Sequence, residues 1–169
     1  MRRDSVTHCL AVLKLHDFQL AFLALLNLAG LKPASRWEKP LTKELRGELE
    51  ALGLAVRVVK RVVLSGRELE ETLFAGDAER LAIYAARFEG RVVDKSAATQ
   101  RFEGDFFGYP LCCVEAFIRQ PYIENGLARD DQAILFHWAC PGCRATEKLL
   151  GEYRELHDAL MEIDDPSMI

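Results

Sequence analysis

The chain has 169 residues, half of them hydrophobic, and a formal net charge of -4. That length suits one domain, residues 1–169, whose core buries about 70% of the unfolded surface. The acidic balance provides no basic footprint for nucleic acid, and five cysteines are too few, and an odd number, for a secreted disulfide scaffold.

The first predicted helix runs from about Ser5 to Ala29 and ends at Gly30, where glycine commonly closes a helix. Its second half, Leu20 to Ala29, is apolar nearly all round and belongs at the centre of a core. This run is shorter than the roughly 20 residues of a membrane span. Met1-Arg2-Arg3 imitates the start of a leader. Asp4, Lys14, His16 and Asp17 then intervene without a clean cleavage site, so the expectation is a cytoplasmic protein with no membrane segment. Lys32 to Pro40 reads as a proline-bounded loop. Thr42 can cap a short helix with Leu45, Leu49 and Leu52 on one face, stopped by Gly53.

Valine-rich Leu54 to Leu64 is the best strand candidate. Its alternation slips at Val59-Lys60-Arg61, which predicts a turn or bulge and two short antiparallel strands. Ser65-Gly66-Arg67-Glu68 has capping-box spacing and predicts a helix through Phe74. Gly76 ends that helix. Asp77 caps the next, with Leu81, Tyr84, Ala85 and Phe88 on one face and Gly90 at its close. Arg91 to Asp94 reads as a third short strand.

Asp105-Phe106-Phe107-Gly108-Tyr109 leads to Pro110, which suits the first position of a helix over Leu111–Gln120, stopped by Pro121. Asp130 or Asp131 can cap a short helix through Trp138. The last helix is predicted from near Cys143 to about Ile163, ended by Asp164-Asp165-Pro166. Its stripe is Ala145, Leu149, Tyr153, Leu156, Leu160 and Ile163. The fold class is therefore α+β, mostly helical, with a small antiparallel sheet.

Four of the five cysteines form two clusters, Cys112-Cys113 and Cys140-Pro-Gly-Cys143, each at a predicted helix start. Unpaired N–H groups and the positive end of the helix dipole favour thiolate there, the form that ligates metal. A C-x-x-C knuckle is the usual half of a zinc site. With His137 three residues before Cys140, the candidate metal ligands are Cys112, Cys113, His137, Cys140 and Cys143. Adjacent helical residues point about 100° apart, so sequence leaves open whether Cys112 and Cys113 both face one metal. Zinc is the leading cofactor, ahead of an iron–sulfur cluster on four thiolates.

Two other readings stand beside metal binding. Cys140 and Cys143 suit a thiol–disulfide pair, since C-x-x-C at a helix start is also the redox arrangement, though no βαβ context accompanies it. Alternatively the cysteines pack as small hydrophobes. Cys9, among apolar residues, reads as core; His8, His16 and His157 read as structural or surface. Glu115 suits a charge near a helix start, and Asp105 a local cap. The chain has no Gly-rich phosphate loop, H-E-x-x-H or G-x-S-x-G. No substrate or partner is legible.

Phe107-Gly108-Tyr109-Pro110-Leu111-Cys112-Cys113-Val114-Glu115-Ala116-Phe117 resembles the signature of an uncharacterised, largely archaeal family, domain-of-unknown-function family 483. Those proteins carry Gly-Tyr-Pro-x-Cys-Cys followed by phenylalanine. A downstream His-x-Pro-Cys-x-x-x-Cys-like segment then opens a long helix. Here that segment, His137 to Cys143, has tighter spacing. The resemblance covers about the last 65 residues, from Gly104 onward. It implies no activity, but it implies that the two cysteine clusters form one site.

Overall fold

The computed structural model describes residues 3–163. The start Met1-Arg2 and the helix stop Asp164-Asp165-Pro166 lie outside the described residues. The protein is α+β: helices predominate around a three-stranded antiparallel sheet. Among the described residues two compact units separate, 3–93 with 160–163, and 94–159.

The first unit begins with α1 (Arg3–His16) and α2 (Phe18–Leu28), where sequence predicts one helix. Asp17 makes the break. Its backbone is extended, and its carboxylate accepts the Gln19 N–H at 2.9 Å, capping α2. The apolar run forms the buried side of α2, with Leu20, Phe22, Leu23 and Leu26 at most 4% exposed. Each such side chain contributes roughly 1.5–3 kcal/mol of gross burial energy. Buried Asn27 donates from Nδ2 to the Leu23 carbonyl at 2.8 Å and to Ser35 Oγ at 2.7 Å. Lys14 donates to the carbonyls of Met161 and Ile163, both at 2.8 Å, the favourable place for a cation at a helix C-terminus.

Strands β1 (Ser35–Trp37), β2 (Ala55–Val62) and β3 (Glu68–Ala75) pair in the order β1-β3-β2. β1 falls inside the expected proline-bounded loop. β2 is continuous through Val59-Lys60-Arg61, with no turn there: Ala55 pairs with Ala75 and Val62 with Glu68 in one unbroken register. The largest correction is β3, which sequence predicts as a helix. Glu- and Leu-rich residues favour helix locally, but here the segment is the central strand, hydrogen-bonded on both sides. Glu71, 2% exposed, accepts from the Tyr84 hydroxyl at 3.1 Å and lies 3.7 Å from the guanidinium nitrogens of Arg36 and Arg61. Arg61 also stacks over the Phe88 ring, 4.4 Å from its centroid.

Helix α3 (Lys43–Ala51) is capped by Thr42, whose hydroxyl accepts the Leu45 N–H at 3.3 Å. Helix α4 (Ala78–Phe88) is capped by Asp77 and buries Leu81, Tyr84, Ala85 and Phe88. The expected strand at Arg91–Asp94 reduces to a single parallel bridge between Val62 and Val92.

The second unit holds α5 (Ala97–Phe106), α6 (Leu111–Arg119), α7 (Arg129–Ala133) and most of α8 (Arg144–Met161). Sequence reading missed α5, which Ser96 caps by accepting the Thr99 N–H at 3.2 Å. Gly104 lets α6 approach α5 closely: a Cβ at 104 would lie 2.4 Å from Val114 Cγ2. A paired contact of Arg101 Nε and Nη2 with the Glu115 carboxylate, at 2.6 and 2.9 Å, joins the same helices. Pro110 is the N-cap of α6, one position before the expected place. α7 is shorter than expected and starts after Ala128, without an Asp cap. On α8 the buried positions are Thr146, Leu150, Tyr153 and Leu160, whereas Ala145 is exposed.

Candidate metal centre

Both cysteine clusters belong to the second unit, and they meet there. The sulfurs of Cys112, Cys113, Cys140 and Cys143 all lie within 4.8 Å of one another. Cys113 Sγ is 3.3 Å from Cys143 Sγ and 3.8 Å from Cys140 Sγ, and Cys112 Sγ is 3.4 Å from Cys143 Sγ. Four sulfurs at about 2.3 Å from one tetrahedral ion stand about 3.8 Å apart, so the set has the dimensions of a mononuclear site. All five cysteines are free thiols.

Local backbone explains the convergence. Cys112 and Cys113 occupy the first turn of α6, behind Pro110. Both sulfurs reach the centre despite their angular separation, answering what sequence leaves open. Cys113 is buried and Cys112 exposed. The second pair is held by the Pro141-Gly142 turn. Gly142 has φ 62°, as a type II turn requires at its third residue, and proline suits the second.

Cys143 stands just before α8. Its sulfur accepts the Thr146 N–H at 3.4 Å, the role an Asp or Ser oxygen plays at an N-cap. Cys113 Sγ accepts the Cys140 N–H at 3.3 Å and lies 3.5 Å from Thr146 Oγ1. Hydrogen bonds of this kind favour the charged sulfur.

The thiols are accordingly unequal before any metal binds. Burial opposes charge on Cys143. Hydrogen bonds from the Thr146 hydroxyl and N–H and from the Cys113 and Cys112 thiols outweigh it, bringing Cys143 down to about 6. Burial, then contact with Cys113 and Cys112, pushes Cys140 up. Burial is also the largest influence raising Cys113. One thiolate thus sits among thiols that donate to it.

His137 is not one of the four clustered groups. Its Nε2 lies 3.1 Å from Thr146 Oγ1, and its ring packs 5.5 Å from that of Tyr109. With Nε2 protonated, His137 donates to the Thr146 oxygen, leaving the one Thr146 hydroxyl proton to be shared between the Cys143 and Cys113 sulfurs. Sequence reading overlooked Thr146, 1% exposed. Its signal is position: three residues after Cys143, where a helix presents both a free N–H and a hydroxyl to the cap.

The chain matches no family model, no curated protein and no solved structure.

A polar brace shapes the segment before the knuckle. Asn125 Nδ2 donates to Gln132 Oε1 at 2.8 Å and to the Ala139 carbonyl at 3.2 Å, and Gln132 Nε2 donates to the His137 carbonyl at 2.9 Å. Trp138 Nε1 donates to the Ile123 carbonyl at 2.7 Å. These bonds fix a stretch with little regular structure, so Cys140 arrives at the centre from a braced loop. Among the expected core thiols, Cys9 is 4% exposed. Burial, followed by Glu48, pushes its pKa up to about 11, so it behaves as a buried thiol. Among the described residues no helix is long and apolar enough to cross a membrane.

Proposed function

We propose that this chain is a cytoplasmic zinc protein in which Cys112, Cys113, Cys140 and Cys143 hold one ion. The mutual spacing of the four sulfurs within 4.8 Å carries the reading. Soft thiolates select zinc over hard cations such as magnesium or calcium. A multinuclear iron–sulfur cluster places several iron atoms between its thiolates and spreads them further apart. Four protein ligands close the coordination shell, which is the mark of a structural site. In that role the ion ties the first turn of α6 to the knuckle and to the start of α8. A reducing compartment keeps the thiols available.

A thiol–disulfide role is the second reading. One observation favours it: Cys143, held near 6, stands 3.4 Å from exposed Cys112. Metal analysis of the purified protein, paired with thiol titration with and without reductant, separates the two. About one zinc per chain, lost in Cys140→Ser, supports the first reading. A metal-free protein whose thiol count rises on reduction supports the second.

A further inference from the structure

The four sulfurs are not chemically equivalent. Cys113 accepts a backbone N–H and meets the Thr146 hydroxyl, and Cys143 accepts a backbone N–H. Both are buried, and Cys140 is half-buried. Cys112 is exposed, and among the described residues its sulfur meets only other cysteine sulfurs. A hydrogen bond to a thiolate draws charge from sulfur and blunts its nucleophilicity, and burial bars an incoming electrophile. Cys112 escapes both effects. Four thiolates around one dication also carry more negative charge than the ion neutralises, so the exposed sulfur keeps electron density to share.

We propose that Cys112 Sγ is the reactive atom of the centre, accepting alkyl groups from soft electrophiles at saturated carbon while the other three sulfurs keep their hold. This inference rests on the zinc reading above. In the step, a lone pair of the Cys112 thiolate forms the S–C bond, and the bond from carbon to the leaving group breaks. The leaving group departs with its electron pair. No proton moves, because sulfur enters as thiolate, and no oxidant is required. The product is a neutral thioether at Cys112, and the centre loses one negative charge. Chemically this describes an acceptor or sensor of alkylating agents, a role different from a purely structural clamp.

The test uses the full-length, zinc-loaded protein and limiting iodoacetamide. Peptide mass mapping follows each cysteine over time, and a chromophoric indicator follows zinc release. Cys112 is expected to be carbamidomethylated at least about tenfold faster than Cys113, Cys140 and Cys143, with one label per chain appearing before zinc leaves. Cys9, 4% exposed, serves as the unlabelled control. In Cys112→Ser the fast label is expected to vanish. If all four site cysteines are protected alike, or react together in step with zinc loss, the proposal is overturned while the zinc reading stands. A chain that carries no zinc overturns both.

Discussion

Replacing Gly104 by alanine tests how the first turn of α6, with its two cysteines, is held in place. The added Cβ would lie 2.4 Å from Val114 Cγ2, 3.1 Å from Cγ1 and 3.4 Å from Cβ. Carbon contacts normally begin near about 3.5 Å, so the closest methyl is about 1 Å too near. Rotating Val114 exchanges one crowded methyl for the other, and valine in a helix has essentially one preferred rotamer. The helices must therefore move apart. Overpacking costs about 1–3 kcal/mol. The gain from removing glycine from a helix interior, about 1 kcal/mol, opposes it. A 2.4 Å approach puts the overpacking at the upper end of that range, so the net expectation is destabilisation of about 2 kcal/mol, or roughly 4–8 °C in Tm for a chain of this size. Val114→Ala in the same chain removes both crowding methyls, so the double variant should be less destabilised than the sum of the singles by about 1 kcal/mol. Thermal and urea unfolding followed by circular dichroism measure all four proteins. A Gly104→Ala variant as stable as the parent, or strictly additive costs, would refute the close-approach argument.

Other expectations concern the sulfurs themselves. Thr146→Val keeps the N–H bond to Cys143 but removes the hydroxyl between His137 and Cys113; zinc affinity, measured by chelator competition, should fall about 10–100-fold, as for other partners of metal ligands. Cys140→Ser should lower the zinc content and Tm together while α8 keeps helical content, because its buried Leu150 and Tyr153 do not depend on metal. An unchanged Tm on chelation of the parent would count against metal-linked stability. In metal-free protein, the Cys143 thiol is depressed from 9.0 to about 6. Its contribution to stability is therefore full above the ordinary thiol range and lost as pH falls through about 6. Cys113 and Cys140 are raised, so their contribution is lost as pH climbs above the ordinary thiol range. Urea midpoints of the metal-free protein should thus rise with pH from about 6 toward neutrality and beyond, then turn down in alkali. A flat profile would disprove the proposed ordering of the thiols.

Much of the fold was legible where a local signal and the tertiary outcome agree. Asp77 and Thr42 cap α4 and α3 as their positions suggest, and Leu81, Tyr84, Ala85 and Phe88 share the buried face. Both cysteine clusters sit at helix starts, and that placement is visible in Pro110 and in the Pro141-Gly142 turn. The failures occur where a distant partner decides. Glu68–Ala75 has helix-favouring residues behind a capping-box spacing, yet pairing with both neighbouring strands makes it the central strand, and Arg36, Arg61 and Tyr84 supply the partners that let Glu71 be buried. Asp17 carried a readable cap signal, but the unbroken apolar run beyond it masked the break. At the centre, the four sulfurs were named from sequence. The placement of His137 on the Thr146 hydroxyl was not, because no periodicity encodes a side-chain bond across nine residues.

The most direct test of the zinc assignment is X-ray absorption at the zinc edge of the purified protein, read with its metal content. The account predicts about one zinc per chain with four sulfur neighbours at about 2.3 Å. A protein without zinc would contradict it, as would a shell in which nitrogen at about 2.0–2.1 Å replaces a sulfur, since that would bring a histidine such as His137 into the site.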